Sequence, residues 1–320
     1  MNAKWIKIMV LAGLTLAVIF TSVLMAQNKM IQVKGSDTLV NLVQILAEEF
    51  MAKNASTPIA VLGGGSSTGV SALLNGTTQI ADTSRDWKQK ELDQAWEKGI
   101  KVTLFALAID GLSIIVNEKN PLNELTMEQV AALYKGEVKN WKGIGGPDMK
   151  VSLYGRQSNS GTYTFLMEHV LKNKPYSTDM KEMNGNAQII EGILSDTAAV
   201  GYVGVGYIVD KSTGKVMKGL KLLNISKAKG EAAFSPLDKD AVYSGKYPIS
   251  RPLWQATNGS PKGGVKAFIE FELGVEGQKI VEREGFYPIV GPLVAPRAVG
   301  SIVGTNCFGS YSPLESGRCR

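Results

Sequence analysis

The chain has 320 residues, 44% of them apolar and 20% charged, enough for one large or two ordinary globular domains with real cores and unlike a disordered or fibrous protein. Its 35 basic and 29 acidic residues give a formal charge of +6, spread along the chain, whereas a nucleic-acid binder clusters its basic residues. Cys307 and Cys319, both near the C-terminus, could close a small loop in an oxidising compartment but cannot staple the core; with the single His169 they make no metal-ligand set, and no cofactor is expected.

Lys4 and Lys7 precede an apolar run from Ile8 to Met25, then small Ala26 and polar Gln27 and Asn28. This layout predicts a secretory signal peptide over residues 1–26 and a periplasmic destination for the rest. The run is also near the length that spans a bilayer, and Leu24 suits a cleavage site poorly, so an uncleaved membrane anchor is the competing reading. No Cys lies near the cleavage point, which argues against a lipoprotein. Removing residues 1–26 takes away two lysines and no acid, leaving 33 basic against 29 acidic residues, or +4, too mild an excess to identify a partner.

Short apolar strands then alternate with amphipathic helices, an α/β pattern with largely parallel sheets. Ile31 to Val33 reads as a strand, followed by a helix with Leu39, Leu42, Val43, Leu46 and Phe50 on one face. Ile59 to Leu62 is a second strand, and Gly63 to Thr68 breaks into a helix running through Leu74. Thr103 to Ala108 and Leu112 to Val116 are strand-like and joined through Ile109, Asp110 and Gly111, as in a crossing between two lobes. Thr126, with Gln129 in the capping-box position, opens a helix with Val130 and Leu133 in its core. Pro248 to Trp254 is a second candidate crossing, and Gly263 to Leu273 and Gly277 to Glu284 read as helices that return to the first lobe. From Gly291 onward the periodicity is lost and Gly, Ser and Pro predict a largely irregular tail.

Three stretches place Ser, Thr and Gly where a strand ends and a helix begins: Gly35-Ser36-Asp37-Thr38-Leu39, Gly63 to Gly69 (Gly-Gly-Gly-Ser-Ser-Thr-Gly), and Arg156-Gln157-Ser158-Asn159-Ser160-Gly161-Thr162. A helix start offers unpaired N–H groups and the positive end of a dipole, so it binds an anion without a full charge. Gly lets the backbone approach closely, and Ser or Thr adds a hydroxyl donor. Each stretch alone reads as an ordinary cap or turn, and the glycine-rich one lacks the Lys of a P-loop. The third is more telling, because the Arg156 guanidinium beside Ser160-Gly161-Thr162 can make a bidentate bond to a tetrahedral anion.

With these motifs the chain resembles the phosphate-binding receptors of phosphate-specific ABC transporters, the PstS family within the type II periplasmic binding proteins. The resemblance runs from about Ile31 to Val290 and also includes Ala199-Val200-Gly201-Tyr202, Tyr247-Pro248-Ile249-Ser250-Arg251 and Gly285-Phe286-Tyr287-Pro288. It implies a two-lobed α/β fold with a central mixed sheet in each lobe and two crossing strands as hinge. Residues 30–110 and 252–292 would form lobe 1, residues 111–251 lobe 2, and residues 293–320 the tail. It implies a monomeric receptor, not an enzyme, that takes inorganic phosphate in the cleft and delivers it to a membrane permease.

By motif position the phosphate ligands would be Thr38 and the Leu39 N–H with Ser36 beside them, Ser66 and Ser84, then Arg156, Ser160, the Gly161 N–H and Thr162. Better-known members carry an Asp where Ser84 aligns, and that Asp accepts the phosphate proton and so rejects sulfate. Asp82, Asp86 or Asp110 must take over here, with Asp110 preferred because it lies at the crossing. Arg85 reads equally as a solvated charge or a cleft residue. His169 reads as packing, and Asn117, Asn120 and Trp141 as turn and packing residues. Alternatives are a receptor for sulfate, molybdate or tungstate, an exported hydrolase using Ser160 or Ser66, and a scavenging or adhesion protein without a transporter.

Overall fold

A computed structural model describes residues 30–289 and the strand Arg297–Ala298; the expected signal peptide, Cys307 and Cys319 lie outside the described residues. The chain opens with β1 (Ile31–Gly35), α1 (Val40–Lys53), β2 (Ile59–Leu62), α2 (Ser66–Leu74), β3 (Ile80–Thr83) and α3 (Gln89–Glu97). β4 (Val102–Gly111) leads directly into β5 (Ser113–Asn117), and β6 (Glu124–Thr126), α4 (Met127–Lys135), β7 (Ser152–Arg156) and α5 (Gly161–His169) follow. Next come β8 (Lys181–Met183), α6 (Asn186–Ser195), β9 (Ala199–Val203), β10 (Leu220–Leu222), β11 (Asn224–Ser226) and α7 (Lys239–Tyr243). β12 (Ser250–Asn258), α8 (Gly263–Leu273), α9 (Val275–Arg283) and β13 (Arg297–Ala298) complete the described chain.

The first sheet has the order β13-β4-β12-β3-β1-β2 and the second β10-β5-β9-β7-β8, with β6 and β11 paired alongside. Both sheets are mixed, as the family resemblance implies, and not largely parallel as the strand–helix alternation alone suggests. Strands joined through helices, β1 with β2 and β3, and β7 with β8 and β9, pair parallel, as a helical crossover requires. The pairings of β12 with β3 and β4, and of β5 with β9 and β10, are antiparallel. The result is the two-lobed architecture of type II periplasmic binding proteins.

The chain passes from the first sheet to the second after β4 and returns at β12. These two strands form one long antiparallel pair, from Ser250 opposite Gly111 to Asn258 opposite Val102, with a bulge between Leu253 and Trp254. Nearly every residue of both is buried, as expected of central strands covered on both faces. The face of α1 formed by Leu42, Val43, Leu46 and Phe50 packs against α8 and α9, with the Phe50 and Phe268 rings 5.3 Å apart. The expected capping box closes α4: Thr126 Oγ1 accepts the Gln129 N–H at 3.1 Å and Gln129 Oε1 accepts the Thr126 N–H at 2.8 Å. A piece of the expected tail is regular, since β13 pairs its two residues with Leu104 and Thr103 at the sheet edge.

Candidate functional site

Each of the three Ser/Thr/Gly stretches does open a helix after a strand. At the end of β1 the chain turns on Ser36: its Oγ accepts the Thr38 N–H at 3.2 Å, its carbonyl accepts the Leu39 N–H at 3.0 Å, and α1 starts. At the end of β2, Gly65 precedes α2 with φ of 91°, a conformation that favours glycine. After β7, Ser160 caps α5, its Oγ accepting the N–H groups of Thr162 and Tyr163 at 3.2 and 3.4 Å.

The three starts meet. Thr38 Oγ1 lies 3.0 Å from Thr162 Oγ1, Ser36 Oγ donates to Ser84 Oγ at 2.9 Å, and Ser66 Oγ lies 3.4 Å from Ser84 Oγ while accepting the Ser84 N–H at 3.1 Å. All five residues are buried. Across the lobes the Ser67 N–H donates to Asn159 O at 3.1 Å, and Asn159 Nδ2 donates to Gly64 O at 3.0 Å. The approach is close enough to demand glycine. A Cβ on Gly161 would stand 2.2 Å from Ser66 Oγ and 2.7 Å from Ser84 Oγ, and one on Gly65 would stand 2.6 Å from Asn159 O. Thus Ser36, Thr38, Ser66, Ser84, Ser160, Gly161 and Thr162 lie together, whereas the Leu39 N–H is bonded within its own turn.

Arg156 is buried at the end of β7. Its Nε donates to Met183 O at 3.3 Å, its Nη2 donates to Asn184 O at 2.7 Å and pairs with the Asp37 carboxylate, and its Nη1 is buried without a partner. A buried, unpaired guanidinium nitrogen is costly, and an oxyanion is a natural partner for it.

A second buried guanidinium, Arg251, joins the cluster. Its Nε and Nη2 donate to Asp110 Oδ2 at 3.0 and 2.8 Å, its Nη1 to Ser84 O at 2.7 Å, and its Nη2 to Thr162 Oγ1 at 3.0 Å. Burial pulls the Arg251 guanidinium below its ordinary range, and Asp110 opposes that pull. Asp110 Oδ1 accepts the Val205 N–H at 2.9 Å. Asp110 and Thr38 converge on the same face of Gly204, where an added Cβ would stand 3.3 Å from Asp110 Oδ1 and 3.0 Å from Thr38 Cγ2.

The other charges near Ser84 face elsewhere. Asp82 is buried opposite Gln255 and beside Glu272, on the first lobe's interior. Asp86 Oδ1 accepts the Trp254 indole N–H at 3.1 Å. Arg85 is neither solvated nor in the cluster: it is buried against Glu91, with Nη2 2.7 Å from Oε1, because α3 folds back over it. His169 ends α5, stacked on Phe165 at 4.6 Å and about 13 Å along the helix from Ser160, so it cannot activate Ser160. Ser160 Oγ is already the cap of that helix. Asn117, Asn120 and Trp141 serve turns and packing, with the Trp141 indole donating to Ala198 O at 2.9 Å.

Asp37 and Arg251 were not singled out from the sequence as site residues, although both lie within its motifs. The usable signal was a charge in a poor setting: Asp37 inside a Gly/Ser turn, and Arg251 running into apolar Pro252-Leu253-Trp254. A charge in a buried strand needs a partner.

The family described as the PBP superfamily domain matches residues 24–276. The phosphate-binding protein PstS of Pseudomonas aeruginosa is 34% identical over 283 residues, spanning 83% of this chain and 84% of that protein. That of Borreliella burgdorferi is 31% identical over 271 residues, spanning 82% and 91%. Among solved structures, a substrate-binding protein from Clostridium perfringens with bound phosphate superposes with a TM-score of 0.71 at 25% identity, covering 82% of this chain and all (100%) of that one. An ABC-type phosphate transport receptor from Vibrio cholerae gives 0.64 at 28% identity, covering 80% and 99%.

Proposed function

The chain belongs to the PBP superfamily, among the phosphate-binding proteins PstS, and from this we infer that it is a receptor that binds inorganic phosphate between its lobes for import by an ABC transporter. It is a solute-binding protein and not an enzyme. Its partner is the transporter's membrane permease, to which it delivers phosphate as a monomer, acting in the periplasm after export through the signal peptide. Among the described residues no helix is long and apolar enough to cross a membrane.

The observation that carries the reading is the meeting of three helix starts and their buried hydroxyls with Arg156, whose Nη1 lacks a partner. The proposed ligands are Thr38, Ser66 and Ser84 from the first lobe and Arg156, Ser160, Gly161 and Thr162 from the second, with Ser36 and Leu39 shaping the first turn. The lobes are taken as residues 30–110 with 252–292, and residues 111–251. Phosphate is held by oriented donors: Arg251 donates to Thr162 Oγ1, so the Thr162 O–H is free to point at Thr38 or the anion. These groups stay fixed while water is excluded, which strengthens each charge-assisted bond.

Selectivity over sulfate is assigned to Asp110. Three of its four lone-pair directions are taken by Arg251 and Val205, and the one remaining can accept the proton that phosphate carries and sulfate lacks. A lone pair facing sulfate would instead be a buried acceptor without a donor. Titration calorimetry with phosphate, repeated in excess sulfate, tests both parts. Tight binding that survives sulfate supports the reading, whereas equal affinity for the two anions would return the site to a general oxyanion receptor. Turnover of a phosphate ester lost in Ser160→Ala would overturn it.

A further inference from the structure

We propose that Asp37 is the positioning residue for Arg156 and takes up that role only when the two lobes meet, an inference that rests on the phosphate reading of the same site. Asp37 stands in the turn between β1 and α1, beside Thr38. Its Oδ1 accepts the Gly64 N–H at 2.7 Å, within the first lobe. That contact is tight enough that a Cβ on Gly63 would stand 2.5 Å from the same oxygen. Its Oδ2 pairs with Arg156 Nη2, from the end of β7 in the second lobe. Its carbonyl takes two more second-lobe donors, the Tyr207 hydroxyl at 2.5 Å and Asn186 Nδ2 at 3.4 Å. One residue therefore carries three contacts across the cleft, next to a proposed ligand.

The geometry of Arg156 explains what these contacts do. Its other two acceptors, Met183 O and Asn184 O, belong to its own lobe and travel with it. Asp37 is the acceptor from the opposite lobe, and because the guanidinium is planar, fixing its Nη2 edge fixes where Nη1 points. Opening the cleft removes the Asp37 arm alone, and closing restores it. Arg156 thus becomes fully oriented in the step that encloses the anion, so its strongest contact resists release more than it speeds capture. Gly64 holds Oδ1 in the first lobe whether or not Arg156 is present, which keeps the carboxylate aimed.

The test compares wild type, Asp37→Asn, Arg156→Gln and the double variant. Phosphate affinity and dissociation rate are measured by calorimetry and stopped flow. Asp37→Asn is expected to weaken affinity about 10- to 100-fold, mostly through faster dissociation, and to change it by less than about threefold once Arg156 is Gln. A loss below about threefold in the wild-type background, or an equal loss in both backgrounds, overturns the proposal. A second readout needs no phosphate: spin labels at Lys90→Cys and Lys174→Cys, in protein with Cys307 and Cys319 replaced by Ser, report the lobe separation. Asp37→Asn is expected to shift that distribution toward wider separations, and an unchanged distribution counts against the proposal. Failure of the wild type to bind phosphate while the label shift is present would sink the phosphate reading and leave the positioning role standing.

Discussion

Arg251 and Asp110 stand directly opposite each other on β12 and β4, and Nε and Nη2 of Arg251 both donate to Oδ2 of Asp110, at 3.0 and 2.8 Å. This buried pair sits where the chain passes between the lobes, and the same Nη2 reaches Thr162. One cross-strand ion pair thus connects the β4–β12 pair to the cluster of buried hydroxyls through Thr162.

Asp110→Asn tests that pair. It leaves a buried guanidinium without its counter-charge, which is expected to cost about 3 to 5 kcal/mol of stability. It also replaces an acceptor with a group that can donate to either anion, so the preference for phosphate over sulfate is expected to narrow. Chemical denaturation and competition binding check the two effects. Unchanged selectivity in a destabilised variant would restrict Asp110 to holding Arg251.

Arg156→Ala removes the guanidinium whose Nη1 is buried and unpaired. Loss of a charge-assisted contact in a closed cleft is expected to weaken phosphate binding by about 2 to 5 kcal/mol. The fold should survive, because the acceptors left behind, Met183 O, Asn184 O and the Asp37 carboxylate, belong to residues that are not buried, so water can replace the guanidinium. Calorimetry beside circular dichroism decides it, and affinity within about threefold of wild type would place the anion elsewhere.

Gly161→Ala places a methyl group 2.2 Å from Ser66 Oγ and 2.9 Å from Ser66 Cβ. A serine side chain can swing its hydroxyl but not its Cβ, so the lobes must stand further apart. The expected outcome is a large loss of phosphate affinity with the melting temperature of the phosphate-free protein little changed. Unchanged affinity would mean that the cleft closes without this contact.

The first lobe carries a buried pair of acids that the anion site does not use. Burial pushes Asp82 up to about 8, opposed by its bond to Gln255, and burial together with Asp82 pushes Glu272 well above its ordinary range. Asp82 Oδ1 and Glu272 Oε2 lack partners, so little compensates the burial of a charge on either carboxylate. The folded protein therefore binds more protons here than the unfolded chain does. This contribution is full below about pH 4, the ordinary carboxyl range, and is lost as pH rises toward about 8. Urea denaturation at pH 5 and pH 8 is expected to show lower stability at the higher pH, with the gap reduced in Asp82→Asn. An equal gap in the variant would show that Asp82 is not the group responsible.

The helix starts, the strand runs and the three Ser/Thr/Gly stretches are legible in the chain itself. Ser160, Thr126 and the glycines before α2 are local devices, since a cap or a left-handed turn is satisfied by neighbours a few residues away, and so they are legible in a single chain. The apolar face of α1 and the buried runs of β4 and β12 are legible for the same reason, because period and burial are written residue by residue. The motif carrying Arg156 already pointed to an oxyanion.

Which charges meet is settled by the folded chain path. Asp37 and Arg156 are 119 positions apart and Asp110 and Arg251 are 141, and nothing in either local setting names its partner. Arg85 reads from sequence as surface or cleft and is instead sealed against Glu91, because that depends on how α3 turns back to bring Glu91 onto it. The alternation of strands and helices suggests largely parallel sheets, and only the family resemblance implies mixed ones, because strand direction is set by how β12 returns between β3 and β4. Pairing across a cleft or a sheet depends on chain path, and a side chain's energy there is fixed by neighbours that sequence spacing does not specify.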